Sequence, residues 1–353
     1  MKTIAIQKVR FLLIGVGNVG RRFLELLVHK RDTLRNRLGL ELTLVGVADT
    51  SGVAICPTGL DPQQVVRLKI EGQGVAAYPH WGQPEVSAFE MVRITEADLL
   101  LEASPVNLED GQPGLRCIEV ALSRAMHVVT ANKAPLVLAF PRLLDLSRIH
   151  SVQLRFDATV AGGLPAVNLG QRDLAAAEIH RLEGILNLTT NYILTRMAQD
   201  GLSYDEALAH AQAAGHAEAD PGLDVEGWDA ANKLVILAYS VLDYPATLAD
   251  VTIEGIAHVT AETLRQAAAE GKRVKLVATA EQDGDRYRLS VRPTWLDADH
   301  PLAQLGPKQM GVVYHTDISG VISAAIVEET PVPTASAMLR DVIDIYPCWG
   351  SKK

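Results

Sequence analysis

Along the first 160 or so residues the hydrophobic positions fall into two alternating patterns. Short, largely apolar runs occur within Val9–Ile14, Glu41–Asp49, Asp98–Glu102 and Met126–Thr130, as expected of strands inside a parallel sheet, and Val152-Gln-Leu-Arg-Phe156 reads as a further strand. Between them the apolar residues recur every three or four positions. Val19, Phe23, Leu24, Leu27 and Val28 mark one helix, and Pro62–Lys69, Pro113–Ala125 and Leu136–Ile149 mark three more. Gly72–Pro84 has no period and reads as loop. Strands alternating with helices predict a doubly wound α/β sheet.

The pattern changes after Asp157-Ala-Thr-Val-Ala-Gly-Gly-Leu-Pro165, where the glycines interrupt regular structure. Glu178–Leu186 alternates as a strand, and Asn191–Asp200, Tyr204–Ala214, Ala230–Val241 and Ala261–Gly271 read as helices. Val274–Ala280 and Tyr287–Val291 form a hairpin across Gln282-Asp-Gly-Asp285, and Met310–His315 and Val321–Val327 are further strands. Thr334–Ile343 is a closing helix. The expected organisation is a dinucleotide-binding domain, 1–157 plus 333–353, and an inserted α+β domain, 158–332, for catalysis and dimerisation, with substrate binding at about 175–293.

Composition narrows the function. The 353 residues are 48% hydrophobic and carry a net charge of -9, which excludes nucleic acid as a bulk partner because phosphate binding needs clustered Lys and Arg. No apolar run is long enough to span a membrane, and the N-terminus has no signal-peptide pattern. Three cysteines, Cys56, Cys117 and Cys348, lack metal-type spacing and suit a reducing cytoplasm.

The first strand ends in Gly15-Val-Gly17-Asn18-Val19-Gly20 and a helix follows, the order a dinucleotide fold requires. Gly15 permits the tight turn, Gly17 lets a pyrophosphate approach the backbone, and Gly20 permits close helix packing, so this is a Rossmann-type nucleotide site. Asp49 ends the second strand, where an acid accepts from the adenosine ribose; the alternative is a cap for the turn at Thr50-Ser51-Gly52. It lies farther from the glycines than the usual ~20 residues, and it favours NAD, with Arg67 and Lys69 close enough in sequence to approach a 2′-phosphate. Ser104 and Lys133 follow later strand ends on the nicotinamide side.

A second cluster runs from Glu218 to Lys233. Asp220-Pro221-Gly222 is turn chemistry. Asp229 and Lys233, four residues apart, share one helix face. Asp224 either caps that helix or lines a substrate pocket.

These motifs carry a resemblance over nearly the whole chain. Asp220-Pro-x-x-Asp224-Val-x-Gly227-x-Asp229-x-x-x-Lys233, preceded by Ala211-x-x-x-Gly215, resembles the signature of homoserine dehydrogenases. Val128-Val-Thr-Ala-Asn-Lys133, Gly184-Ile-Leu-Asn187, Thr190-Asn-Tyr-Ile193, Thr159–Pro165 and His300-Pro-Leu302 are similar to that family as well. The resemblance implies reversible oxidation of L-homoserine to L-aspartate 4-semialdehyde with NAD or NADP, in threonine and methionine biosynthesis, by a homodimer. It implies Lys133 and Lys233 as active-site lysines, Glu218 on the substrate ammonium and Asp229 facing the substrate hydroxyl. It also implies a monovalent cation (Na+ or K+) on Asp157 and on the main-chain oxygens of Val160, Gly162 and Leu164. Asp157 stands where the family has Glu, one methylene longer. His216, Leu188 and the turn Glu328–Pro333 also depart from the family pattern, and the resemblance is to a short form, for which feedback through a C-terminal regulatory domain is not expected.

The chemistry agrees with that implication. Alcohol oxidation needs a hydride acceptor and a base. An ordinary lysine, pKa about 10.4, becomes an effective base when a second ammonium or burial lowers it. Lys233 is therefore read as the principal acid/base and Lys133 as polarising the same oxygen. Two other readings compete: a semialdehyde dehydrogenase of similar layout, which would need an activated cysteine, and a nucleotide-sensing module without turnover. Cys348 lies on a tail that could fold back over the cleft.

Overall fold

The computed structural model describes residues 5–347. The chain divides into two compact units, one running to Gly163 and resuming at Thr330, the other from Leu164 to Glu329. Cys348 and the rest of its tail lie outside the described residues.

The first unit is built on a seven-stranded sheet. Its strands are β1 (Gln7–Ile14), β2 (Leu40–Asp49), β3 (Gly52–Ile55), β4 (Gly82–Gln83), β5 (Leu99–Glu102), β6 (His127–Thr130) and β7 (Leu154–Arg155). Their order is β4-β3-β2-β1-β5-β6-β7, with β2, β1, β5, β6 and β7 parallel and β3 and β4 antiparallel at one edge. The chain builds outward from β1 to β2 and then crosses back to lay β5 on the other side of β1. That reversal leaves a crevice at the carboxyl ends of β1 and β5, the usual ligand position in such sheets. Phe11, Leu13, Leu99, Leu101 and Val129 meet Phe23 and Leu24 of the helix Asn18–Leu38 in one core. The final helix, Val332–Ile345, inserts Ala335, Met338 and Val342 into the same core.

Two expectations need amending here. The last strand pairs over only Leu154–Arg155, because Asp157–Thr159 already turns as a 3-10 segment. The chain after Asp49 does not simply turn. It doubles back as the β2–β3 hairpin, with Gly52 at φ 129.

The second unit holds a six-stranded sheet of β8 (Ile179–Ile185), β9 (Val251–Ile253), β10 (Lys272–Asp283), β11 (Arg286–Asp297), β12 (Gln309–Thr316) and β13 (Val321–Val327). The order is β13-β12-β8-β10-β11-β9. The β10–β11 hairpin pairs continuously from Lys272↔Asp297 to Asp283↔Arg286 across Gly284-Asp285, the two-residue turn that the sequence signals. Ile185, Val277, Leu296, Leu302 and Val313 form its core. The helices Leu188–Asp200 and Trp228–Val241 belong to this unit and carry the second cluster of polar residues.

Candidate active site

In the first unit the glycine loop leaves β1 with Gly15 at φ 85. A Cβ there would lie 2.3 Å from the Ala103 carbonyl oxygen, so only glycine lets the loop pass beside the end of β5. A Cβ on Gly20 would lie 2.0 Å from the Gly15 carbonyl oxygen, so this glycine seats the helix on the turn itself rather than on the strand. Gly17 differs from both. A Cβ there would meet nothing within 4 Å, so the main chain presents an open face at the N-terminus of Asn18–Leu38. A cavity of about 1010 Å³ opens there, lined by Gly15, Gly17, Asn18, Val19, Asp49, Ser104 and their neighbours. Its size, the open backbone and the aligned helix fit a dinucleotide with its pyrophosphate over Gly17.

Asp49 lines the same cavity. Its Oδ1 accepts from the Ser51 N–H (2.9 Å) and hydroxyl (2.6 Å), and its Oδ2 from Lys69 Nζ (2.6 Å) and the Val75 N–H (3.2 Å). Burial opposes ionisation, but the bonds from Lys69 and Ser51 outweigh it and hold the carboxyl below its ordinary range. Lys69 thus stands beside the acid, whereas Arg67 points to Asp61 at 4.0 Å.

Ser104 belongs to a buried polar network that sequence reading missed. Glu102, fully buried at the end of β5, accepts from the Ser104 N–H (2.8 Å), the Ser104 hydroxyl and the Thr130 hydroxyl (2.9 Å). Asn132 Nδ2 donates to Ser104 Oγ at 3.3 Å, and its Oδ1 accepts from the Ala134 N–H at 3.0 Å. Burial pushes the Glu102 carboxyl up, against the bonds it accepts. The network ties the two strand-end loops together and fixes the backbone on both sides of half-buried Lys133, at the start of the helix Ala134–Ile149. The signal in the sequence was the acid closing the run Leu99-Leu-Leu-Glu102.

Cys117 sits in the helix Gly114–Ser123, and burial, with Glu102 adding to it, pushes its thiol up to about 12. Such a thiol is no nucleophile at neutral pH, so Cys117 does not supply the activated cysteine that a semialdehyde dehydrogenase needs.

In the second unit Lys233 and Asp229 face each other one turn apart on Trp228–Val241. Lys233 Nζ donates to Asp229 Oδ2 at 2.6 Å and to the Leu186 carbonyl oxygen at 2.7 Å. Asn187 binds the group together. Its Nδ2 donates to Asp229 Oδ2 (2.8 Å) and to Asp224 Oδ1 (2.7 Å), while its Oδ1 accepts from the Thr190 N–H and caps Leu188–Asp200. The amide orientation follows from chemistry, since only NH2 can face two carboxylates.

Asp224 does not cap the helix Trp228–Val241, which corrects that alternative. It lies within a separate short turn, Gly222–Val225, and the helix restarts after Gly227 at φ 89 with no side-chain cap. Its carboxylate instead joins Asn187. Glu218 is exposed on the loop before Asp220, and among the described residues its carboxylate has no hydrogen bond or ion pair. His216, unexplained by sequence, stacks on Tyr192 at 4.7 Å, and its carbonyl accepts from Thr189 Oγ1 at 2.7 Å. It anchors this loop to the helix Leu188–Asp200. Burial and the nearby Lys308 push its imidazole pKa down, against Glu329. Leu188 occupies the first position of that helix, and Glu329 pairs with Lys308 at 2.8 Å.

Of the residues expected around a cation, Asp157, Val160 and Gly162 lie in the first unit, and Leu164 belongs to the second. Asp157 is fully buried and carries the Arg340 guanidinium on its carboxylate. No helix among the described residues is long and apolar enough to cross a membrane.

Residues 165–343 match the homoserine dehydrogenase family model. A homoserine dehydrogenase of Methanocaldococcus jannaschii is 37% identical over 335 residues, covering 95% of this chain and 98% of its own. An NAD(+)-dependent homoserine dehydrogenase of Pseudomonas canavaninivorans is 34% identical over 339 residues, covering 96% of each. The crystal structure of a putative homoserine dehydrogenase from Archaeoglobus fulgidus superimposes with a TM-score of 0.86 at 36% identity, covering 96% of this chain and 99% of that one. The glycine loop, the Asp229–Lys233 pair and these matches lead to one conclusion: the chain belongs to the homoserine dehydrogenase family.

Proposed function

We propose that Lys233 is the acid/base of this enzyme's NAD(P)-dependent oxidation of L-homoserine to L-aspartate 4-semialdehyde, with Asp229 and Asn187 holding it in position. The carrying observation is the pair of acceptors on Lys233 Nζ. An amine nitrogen has four tetrahedral directions. One is Cε, and two point to Asp229 Oδ2 and the Leu186 oxygen. The remaining direction is thereby fixed for substrate. In the neutral amine it holds the lone pair that takes the hydroxyl proton. In the ammonium it holds the N–H that returns a proton to the carbonyl oxygen during reduction.

The nicotinamide cofactor, when bound, accepts the hydride from the alcohol carbon. The first unit supplies its site, with Gly15, Gly17, Asn18, Val19 and Gly20 under the pyrophosphate and Asp49 and Lys69 toward the adenosine ribose. Both residues at that end bear on the cofactor. A ribose hydroxyl suits Asp49, and a 2′-phosphate suits Lys69, so we assign the site to both NAD and NADP. Lys133, by family resemblance, polarises the substrate oxygen, and Glu102 and Asn132 fix the backbone from which it projects.

The acids select an amino acid. Asp224 and Asp229, bridged by Asn187, outnumber Lys233, and this excess negative charge suits an ammonium group. Glu218, with no partner among the described residues, is assigned to it. Buried free thiols at Cys56 and Cys117 support a cytoplasmic enzyme. A homodimer joined through the second unit is supported by β13, an edge strand that exposes Val321 and Val327. The test is homoserine-dependent reduction of NAD+ and of NADP+ by the purified protein, followed by absorbance. Turnover with homoserine is expected, and its absence with both cofactors contradicts the reading.

A further inference from the structure

The cation site that the family resemblance implies can be tested against the residues around Asp157. Asp157 opens a 3-10 turn, Asp157–Thr159, and its side chain is fully buried. The final helix, Val332–Ile345, packs on that turn. From this helix Arg340 extends Nη2 to two acceptors, Asp157 Oδ2 and the Gly163 carbonyl oxygen at 3.3 Å. Next to it Asp341, fully buried, accepts the Asp157 N–H at 3.0 Å and holds the turn in place.

A buried carboxylate is stabilised by hydrogen bonds, as Asp341 is by the Asp157 N–H, or by a compensating positive charge. An alkali ion supplies one through oxygen ligands; a guanidinium supplies one through N–H donors and is charged at any working pH. The two compete for the same carboxylate. An ion bound through Asp157 Oδ2 would compete with a charge-assisted hydrogen bond, and an ion on either carboxylate oxygen would sit beside a fixed positive charge. The side chain fits this exchange. Aspartate is one methylene shorter than the glutamate of the family pattern, and here its carboxylate is held by an arginine from the closing helix. The residues present therefore do not fit an alkali ion.

We propose that Arg340 is a tethered replacement for the monovalent cation, so that neither Na+ nor K+ is required at this site. The sequence separation of 183 residues makes the guanidinium a clasp between the turn and the closing helix of the first unit.

The proposal is tested on the full-length protein in choline chloride, NaCl and KCl at equal ionic strength. The expected result is the same homoserine kcat/KM and the same unfolding midpoint in all three salts. A saturable, several-fold activation of the wild type by Na+ or K+, or a saturable rise in its midpoint, would overturn it. Arg340→Ala should lose stability in choline chloride and regain about 2–4 °C or more with Na+ or K+, as ligand linkage requires. An Arg340→Ala protein as stable and active as wild type in choline chloride would also overturn it. Should that variant not fold, the wild-type salt series still decides. Should turnover be absent in every salt, the assigned activity fails, while the unfolding midpoints still test Arg340.

Discussion

Lys233 Nζ lies 2.6 Å from Asp229 Oδ2, and the same carboxylate oxygen takes the Asn187 amide at 2.8 Å. One acid therefore both orients the lysine and is itself oriented from a neighbouring helix cap. Asp229→Asn keeps the shape and removes the charge that positions the ammonium. We expect kcat to fall by about 10²-fold or more, the scale of general acid–base contributions, with cofactor affinity unchanged. Steady-state kinetics together with fluorescence titration of reduced cofactor separates the two. An unchanged kcat would leave Asp229 a mere helix-surface partner.

The three glycines of the nucleotide loop separate stability from binding. Gly17→Ala adds a methyl that meets no protein atom within 4 Å, so the fold should be retained while cofactor affinity drops by about tenfold or more, about 1.4 kcal/mol. Gly20→Ala places its methyl 2.0 Å from the Gly15 oxygen and should lower the unfolding midpoint before any ligand is added. Thermal unfolding with and without cofactor distinguishes the two variants. Equal destabilisation by both would remove Gly17 from the binding face.

Lys69 should control the choice between NAD+ and NADP+. Lys69→Ala removes the cation beside Asp49, leaving a carboxylate to face a 2′-phosphate. The ratio of kcat/KM for NADP+ to that for NAD+ should fall by at least about tenfold. An unchanged ratio would place the 2′-phosphate elsewhere.

Lys275 predicts a pH dependence of stability unrelated to catalysis. It is 3% exposed on β10, donates to Asn191 Oδ1 (2.7 Å), Thr195 Oγ1 (2.8 Å) and the Leu305 oxygen (2.9 Å), and has no carboxylate among these acceptors. Burial, with Arg273 adding to it, lowers its pKa to about 8. In the unfolded chain the value is about 10.4. Between these values the unfolded chain binds more protons, so this group's contribution to stability rises with pH; below 8 its penalty is fully present. The stability of wild type minus that of Lys275→Met should thus increase from about pH 8 to 10, by at most about 1.4 kcal/mol per unit. Denaturant unfolding across that range measures it, and a flat difference would contradict the shift.

Local patterns were legible in the sequence and long-range pairings were not. Gly15, Gly17 and Gly20 state their geometry through spacing alone, and Asp229 and Lys233 share a face by helical period. Asp224 was misread as a possible cap because Gly227, at φ 89, restarts the helix three residues later, and a single glycine inside a helical pattern does not by itself fix a break. Glu102 could be seen as an acid ending an apolar run, but its partners Thr130 and Asn132 come from another strand end. Arg340 and Lys275 gave no signal. Arg340 lies on the closing helix and Lys275 within a run of buried strand residues, and only the fold brings each to acceptors distant in sequence.

The central claim is that Lys233 moves the proton. The direct measurement is homoserine kcat/KM for Lys233→Ala beside its dissociation constant for the reduced cofactor. We predict a loss of about 10²–10⁴-fold in kcat/KM with cofactor affinity within about twofold of wild type. Near-normal turnover in that variant would contradict the account.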